Sequence, residues 1–170
     1  MSIEAVKTYL EPYGVAGRVQ EFDVSSATVE LAAQALGVEP ARIAKTISLQ
    51  SDGGCILVVA AGDAKIDNSK FKAEFHRKAK MLSADEVLPL TGYPVGGVCP
   101  FANPDTAAVY CDISLKRFST VFPACGTPNS AIELSCEELF QYSHSQKWVD
   151  VCKNWDTEGT PLPDEAATVI

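Results

Sequence analysis

Two runs joined by a tight turn constrain this chain most. Thr46-Ile47-Ser48-Leu49 alternates, Ser51-Asp52-Gly53-Gly54 supplies turn residues, and Cys55 to Ala61 returns as an unbroken apolar run. Alternation with period two marks a strand, and a short apolar run bounded by turn residues marks a buried one. Together they predict a β-hairpin. A second turn, Gly126-Thr127-Pro128-Asn129, lies between strand patterns at Thr120–Phe122 and Ala131–Leu134. Two hairpin signals are hard to place in a purely parallel sheet.

Helical spacing surrounds these strands. Ile3, Val6 and Leu10 predict a first helix, stopped by Pro12 and Gly14. A strand is expected within Arg18–Val24, and then a helix capped by Ser25 or Ser26, with Val29, Leu31, Ala32, Ala35 and Leu36 as its stripe and Gly37 as its end. Pro40 opens a short helical turn. Ser69–Lys80 reads as a basic helix carrying Phe71 and Phe75, and another helix begins near Ser83-Ala84-Asp85-Glu86. A strand follows around Ala108–Asp112, and Ser135 with Glu138 forms a capping box for a last helix. The expected fold is α/β (α+β): a single domain over residues 1–155, with a curved, mixed, largely antiparallel sheet flanked by helices. Residues 156–170 have the composition of a flexible tail.

Length and charge narrow the function classes. A chain of 170 residues fits one domain. No apolar run approaches the ~18 residues of a spanning helix, so no membrane role is expected. The N-terminus lacks the basic and apolar regions of an export signal, and a cytoplasmic location is expected. The net charge of −8 disfavours general DNA binding. The charge is uneven, however: Lys65, Lys70, Lys72, Arg77, Lys78 and Lys80 face only Asp67 and Glu74 in their stretch, whereas eight acids and two bases follow from Ala131. One basic face could meet a small piece of polyanion. Six cysteines stand singly beside two histidines, without metal-ligand spacing, so neither a metal nor a cofactor is expected.

Four blocks, in order, resemble one known family. They are Leu36-Gly37-x-x-Pro40-x-x-Ile43-Ala44-Lys45-Thr46-Ile47; Ala60-Ala61-Gly62-Asp63 with Ile66-Asp67 and Lys70; Thr91-Gly92-Tyr93-x-Val95-Gly96-Gly97-Val98-Cys99-Pro100-Phe101; and Asp112, Gly126 and Ile132-Glu133-Leu134. Over about residues 15–142 the chain is similar to the YbaK / prolyl-tRNA-editing (INS-type) deacylases. The resemblance implies the fold of that family and hydrolysis of the ester joining a wrong amino acid to the 3′ end of a tRNA, usually proline tRNA. The implied partners are the acceptor end of an aminoacyl-tRNA and an aminoacyl-tRNA synthetase. The family's chemistry is substrate-assisted: a ribose hydroxyl of the terminal adenosine orders water or attacks, and no metal takes part.

Ester hydrolysis needs a held carbonyl, an attacking oxygen and donors for the developing oxyanion. The Gly96-Gly97-Val98 run offers main-chain N–H groups with little side-chain obstruction, flanked by Cys99 and Pro100. Lys45 stands beside a strand whose other residues are apolar or small, and in the family the lysine of this motif contacts the terminal adenosine phosphate or the ester. Thr46 could bond the same end. No nucleophile-and-base pair is visible; Cys99 could be a nucleophile, although the family's small residues there favour a packing role. Phe22, Val29, Ser130 and Ala131 are expected to line the amino-acid pocket. The cysteine-specific YbaK branch has a tyrosine and an aspartate where this chain has Phe22 and Ala131, which argues against Cys-tRNA and leaves alanyl, seryl and threonyl esters unranked. Lys70, Lys72, Arg77 and Lys78 are candidate tRNA contacts. Two other classes fit the same residues: a non-catalytic tRNA- or synthetase-binding module of the same fold, and a hydrolase of small esters unrelated to tRNA.

Overall fold

The computed structural model describes residues 3–155, so the tail expected from Asp156 lies outside the described residues. In chain order the regular elements are α1 (Ile3–Leu10), β1 (Gln20–Glu21), α2 (Val29–Leu36), β2 (Ile43–Ser51), β3 (Gly54–Ala61), β4 (Lys65–Ile66), α3 (Asn68–Phe75), α4 (Ala84–Thr91), β5 (Ala107–Asp112), β6 (Thr120–Pro123), β7 (Ser130–Ala131), β8 (Leu134–Ser135), α5 (Cys136–Tyr142), β9 (Trp148–Val149) and β10 (Cys152–Lys153). Short 3-10 turns sit between them.

β2 and β3 form the expected hairpin, in register from Ala44 opposite Ala61 to Ser51 opposite Gly54. Every residue of β3 is buried. The reason is its place: β2 covers one edge, and β5 pairs parallel along the other, from Cys55 opposite Ala107 to Val59 opposite Cys111. A strand with neighbours on both edges and packing on both faces needs an unbroken apolar run. Parallel pairs also join β6 to β2 at Ile43–Ala44 and β9 to β5, while β8 closes the far edge antiparallel to β6. The six-stranded order is β8-β6-β2-β3-β5-β9, a mixed sheet in one α/β domain. One continuous core runs from Val6 on α1 to Cys152 on β10, and α2 packs its own small cluster, Ala32 and Ala33, against Ile43 and Phe122.

Several boundaries differ from expectation. The strand expected within Arg18–Val24 shrinks to β1, because Ala16–Arg18 coils into a 3-10 turn. Helix α2 is capped by Thr28, whose hydroxyl accepts from Leu31 N, not by Ser25 or Ser26. Helix α3 stops at Phe75, where His76 takes a left-handed φ of +59°. The chain beyond it runs along β2: Gln50 N donates to Lys80 O at 2.8 Å and Leu82 N to Ser48 O at 3.1 Å. The capping box of α5 forms as expected, with Glu138 N to Ser135 Oγ at 3.0 Å and Ser135 N to Glu138 Oε1 at 2.9 Å.

Candidate active site

A gap in the sheet opens a cavity. On its outer edge β2 pairs with β6 only at Ile43 and Ala44. The same edge is taken up again by residues 80–82 from Ser48 onward. Main-chain groups alternate sides along a strand, so Thr46 shares the side of Ser48 and Gln50 and turns its N–H and C=O into the uncovered stretch between. Here a cavity of about 400 Å³ opens. The start of α2, the Val95–Val98 loop and Ser130–Ala131 wall it, and Met81 and Val95 stand at its rim, 60% and 66% exposed.

Lys45 and Thr46 come from β2, which is longer than the sequence pattern indicates and includes both. Both reach the cavity. Lys45 Nζ donates to the Gly62 carbonyl at 3.3 Å. Burial holds its ammonium below the ordinary lysine value, and nearby Asp63 offsets this in part. Gly62 is held in turn. A Cβ there would lie 2.0 Å from Pro40 O, and the adjacent Asp63 makes a two-pronged pair with the buried Arg117 at 2.5 and 2.9 Å. Thr46 Oγ1 is buried without a hydrogen-bond partner, as is Ser26 Oγ. A buried hydroxyl left unpaired costs about 1–3 kcal/mol, and neither oxygen has surface open to the cavity.

The glycine loop is built to stay put. Tyr93 is fully buried and donates its hydroxyl to Phe101 O, and Asn103 Nδ2 donates to Thr91 O at 2.9 Å and Cys99 O at 3.0 Å. Between these anchors Gly97 N donates to Pro94 O at 2.9 Å, closing a four-residue turn in which Gly96 takes a φ of +90°. That positive φ is what a type II turn demands at its third position. The expected trio therefore divides. Gly96 and Val98 line the cavity, and neither of their N–H groups is used by the protein's hydrogen bonds among the described residues. Gly97 does not line it: its N–H is consumed by the turn, and its Cα lies so close to Gly126 that a Cβ would sit 2.9 Å from that carbonyl.

Other expected site residues are placed elsewhere. Cys99 is fully buried outside the cavity, and burial pushes its thiol up to about 12, so it is no poised thiolate. Pro100 borders a separate hollow with Tyr9 and His144. Phe22 does not reach the cavity; its main chain is stitched to the opposite wall, its N donating to Asn129 O at 2.8 Å and its O accepting from Asn129 Nδ2 at 3.0 Å. Val29, Ser130 and Ala131 do line the cavity. The Ser130 hydroxyl is already engaged, accepting from Thr127 Oγ1 at 2.7 Å. Neither histidine lines the cavity: His76 ends α3, and His144 bonds Tyr13 OH at 3.1 Å.

The basic residues also divide. Lys70 pairs with Asp150 at 3.1 Å and Arg77 with Asp52 at 3.3 Å. Lys72 and Lys78 are exposed and border a hollow of about 360 Å³, from which the chain runs through Lys80 to Met81 at the cavity rim. Among the described residues no three His, Cys, Asp or Glu gather as metal ligands, and no helix is long and apolar enough to cross a membrane. Sequence reasoning missed Ser26 as a wall residue, because a serine before a helix reads as a cap. It also missed Met81 and Val95, whose exposure depends on the gap beside β2.

Similarity to known proteins extends over most of the chain. The sequence model of one family, the aminoacyl-tRNA editing domain, matches residues 23–142. The chain is 54% identical to the uncharacterized protein YwhH of Bacillus subtilis (strain 168), covering 92% of this chain and 100% of that one. It is 27% identical to a proposed Cys-tRNA(Pro)/Cys-tRNA(Cys) deacylase, EbsC of Enterococcus faecalis, over 70% of this chain and 74% of the other. The crystal structure of a proposed trans-editing enzyme for prolyl tRNA synthetase superposes with a TM-score of 0.80 at 28% identity, covering 90% of this chain and 99% of that one.

Proposed function

The chain belongs to the aminoacyl-tRNA editing domain family, and on that premise we propose that it hydrolyses, in trans, the ester of a mischarged small amino acid on a tRNA, with tRNA(Pro) as the carrier. One observation carries the reading most. Lys45 and the Gly96–Val98 loop, about a third of the domain apart in sequence, converge on one cavity that also holds unpaired main-chain donors.

The chemistry follows from what each group can do. The Lys45 ammonium, a compact cation, holds the terminal adenosine phosphate or the ester carbonyl. The free N–H groups of Gly96 and Val98 are suited to the oxyanion that forms on that carbonyl oxygen. The Thr46 carbonyl, on the uncovered edge of β2, can accept from the substrate's α-ammonium. A ribose hydroxyl of the terminal adenosine orders the attacking water. The water oxygen bonds to the carbonyl carbon, the ester C–O bond breaks, and the departing ribose oxygen takes the proton. The products are a free amino acid and an intact tRNA 3′ end. The protein supplies orientation and fixed dipoles instead of a covalent nucleophile, in keeping with the buried, neutral Cys99 thiol. EbsC supports a tRNA ester as substrate, and the trans-editing relative supports action on tRNA(Pro).

The test is a panel of tRNA(Pro) carrying alanine, serine, threonine or cysteine, with release of the amino acid followed over time. Hydrolysis of at least one, abolished by Lys45→Ala, is the expected outcome. Binding without hydrolysis would replace the enzyme with a tRNA-binding module. A rate indifferent to removal of the tRNA body would replace it with a hydrolase of small esters.

A further inference from the structure

We propose that Arg117, which lies outside the cavity, is a positioning residue for Lys45: by gripping Asp63 it fixes the Gly62 carbonyl on which the ammonium rests, and it sets how much of the Asp63 charge that ammonium meets. The inference rests on the deacylase reading above and deepens it. One 3-10 turn, Ile113–Arg117, holds the end of β3 and the residues after it at two points. Ala61 N donates to the buried Ser114 Oγ at 3.1 Å, and the Arg117 guanidinium takes both Asp63 oxygens. Gly62 stands between these grips and offers its carbonyl to Lys45 Nζ at 3.3 Å. It is wedged from the other side too, since a Cβ there would meet Val29 Cγ1 at 2.7 Å as well as Pro40 O.

Arg117 is itself locked. It is buried, its Nε donates to Ser114 O at 3.0 Å and its Nη1 to Trp155 O at 3.1 Å, and its Cζ lies 5.0 and 5.4 Å from the centres of the Phe118 and Trp155 rings. A planar fork suits two carboxylate oxygens at once, which the point charge of a lysine does not. The pair also has an electrostatic consequence. Asp63 favours the charged form of Lys45 against burial, and a guanidinium on both its oxygens cancels part of that help. Glu30 on α2, Lys65 on β4 and the Cys152 thiol on β10 face Lys45 as well, and burial keeps that thiol neutral.

The readout is the alkaline pH at which the full chain loses affinity for an amide-linked acyl-adenosine without an α-amino group, followed by calorimetry. Deacylation of mischarged tRNA(Pro) is measured beside it. Asp63→Asn keeps the shape of the side chain and removes its charge, so this alkaline limb should move down by roughly half a pH unit. Arg117→Gln leaves the Asp63 charge uncancelled, so the limb should move up by about as much. Arg117→Lys keeps a cation and loses the fork; it should leave the limb in place and lower kcat/KM by roughly ten-fold, because the ammonium is no longer held to one position. A merely structural pair would lower Tm in all three variants and shift no limb. A limb unmoved in Asp63→Asn, or moved the same way in Asp63→Asn and Arg117→Gln, would overturn the proposal and leave the deacylase reading intact. So would an Arg117→Lys protein whose kcat/KM stays within about two-fold of the wild type. Wherever an Arg117 variant does not fold, the limb in Asp63→Asn decides alone. Hydrolysis of no mischarged tRNA by the wild-type chain would overturn the deacylase reading and this proposal together.

Discussion

Lys45 is a cation in the wrong solvent. Burial lowers its pKa below the ordinary 10.5, and among the described residues its side chain donates to the Gly62 carbonyl. The sign of the linkage follows. A cation with a depressed folded pKa costs stability wherever it is protonated in both states, and that cost fades as pH rises through the folded value. Lys45→Ala should therefore lower kcat/KM by two orders of magnitude or more, as removal of a single transition-state contact does at ~10²–10³, with Tm moved by only about 1–2 °C, since roughly 2–4 °C corresponds to each kcal/mol in a domain of this size. The proposed chemistry needs the cation that the fold disfavours. Affinity for a non-hydrolysable, amide-linked acyl-adenosine without an α-amino group should thus fall on the alkaline side at a pH below the ordinary lysine value, and in the Lys45→Ala protein it should be weak and flat. A calorimetric titration series that stays level in the wild-type protein up to pH 10.5 would refute this. Cys99 makes the opposite case. Its thiol is pushed up to about 12 inside the core, so Cys99→Ala should keep deacylation within about two- to three-fold while costing roughly 1 kcal/mol for the lost packing. Loss of activity greater than its loss of stability would restore the thiol to the chemistry.

At the scale of elements, the glycine loop separates two roles that one motif hides. Gly97 meets Gly126 and Thr127 backbone at 2.9 to 3.2 Å from a would-be Cβ, whereas nothing lies within 4 Å of one at Gly17. Gly97→Ala must push two main-chain segments apart, an overpacking cost of about 1–3 kcal/mol. It should also tilt the Gly96 and Val98 amides away from the cavity and cut kcat/KM. Gly17→Ala should do neither, and thermal melts with rate measurements on the pair would tell them apart. The same loop marks the limit of what could be read beforehand. Motif spacing located Gly96 and Val98, but which N–H the turn itself consumes depends on the bond from Gly97 to Pro94. The β2–β3 hairpin, α1 and the α5 capping box were legible because turn residues, periodicity and reciprocal caps act within a few residues. The parallel pairs that fix β5 and β6 beside that hairpin were not, since a crossover leaves no mark at the strand it reaches. The end of α3 at His76 escaped for a related reason: residues 77–80 carry no helix breaker, and pairing of Lys80 with Gln50 overrides their propensity. The cavity itself is a gap between two partners of β2, and a gap has no sequence of its own.

Over the whole molecule the puzzle is an acidic protein, net −8, whose proposed substrate is a polyanion. Overall charge slows the encounter, so a local cationic path must offset it. The candidates are not equivalent. Lys70 and Arg77 already face Asp150 and Asp52, and a cation with a carboxylate partner releases less when a phosphate replaces it. Lys72 and Lys78 are exposed beside the same hollow, and the chain from Lys78 leads directly to Met81 at the cavity mouth. A backbone whose tip enters beside Met81 would pass them. Each phosphate neutralised steepens the fall of log K with log salt by about 0.7 for single strands and 0.9 for duplex. The Lys72→Gln, Lys78→Gln protein should bind aminoacyl-tRNA more weakly at low salt, with a slope flatter by about 1.4–1.8. Its kcat/KM for an aminoacyl-adenosine lacking the tRNA body should be unchanged, because these lysines lie away from the reacting ester. Lys70→Gln, Arg77→Gln should flatten the slope less. If that second pair proves the stronger, or if the Lys72 and Lys78 change slows the truncated ester equally, the acceptor arm does not cross this hollow and must lie on another side of the cavity.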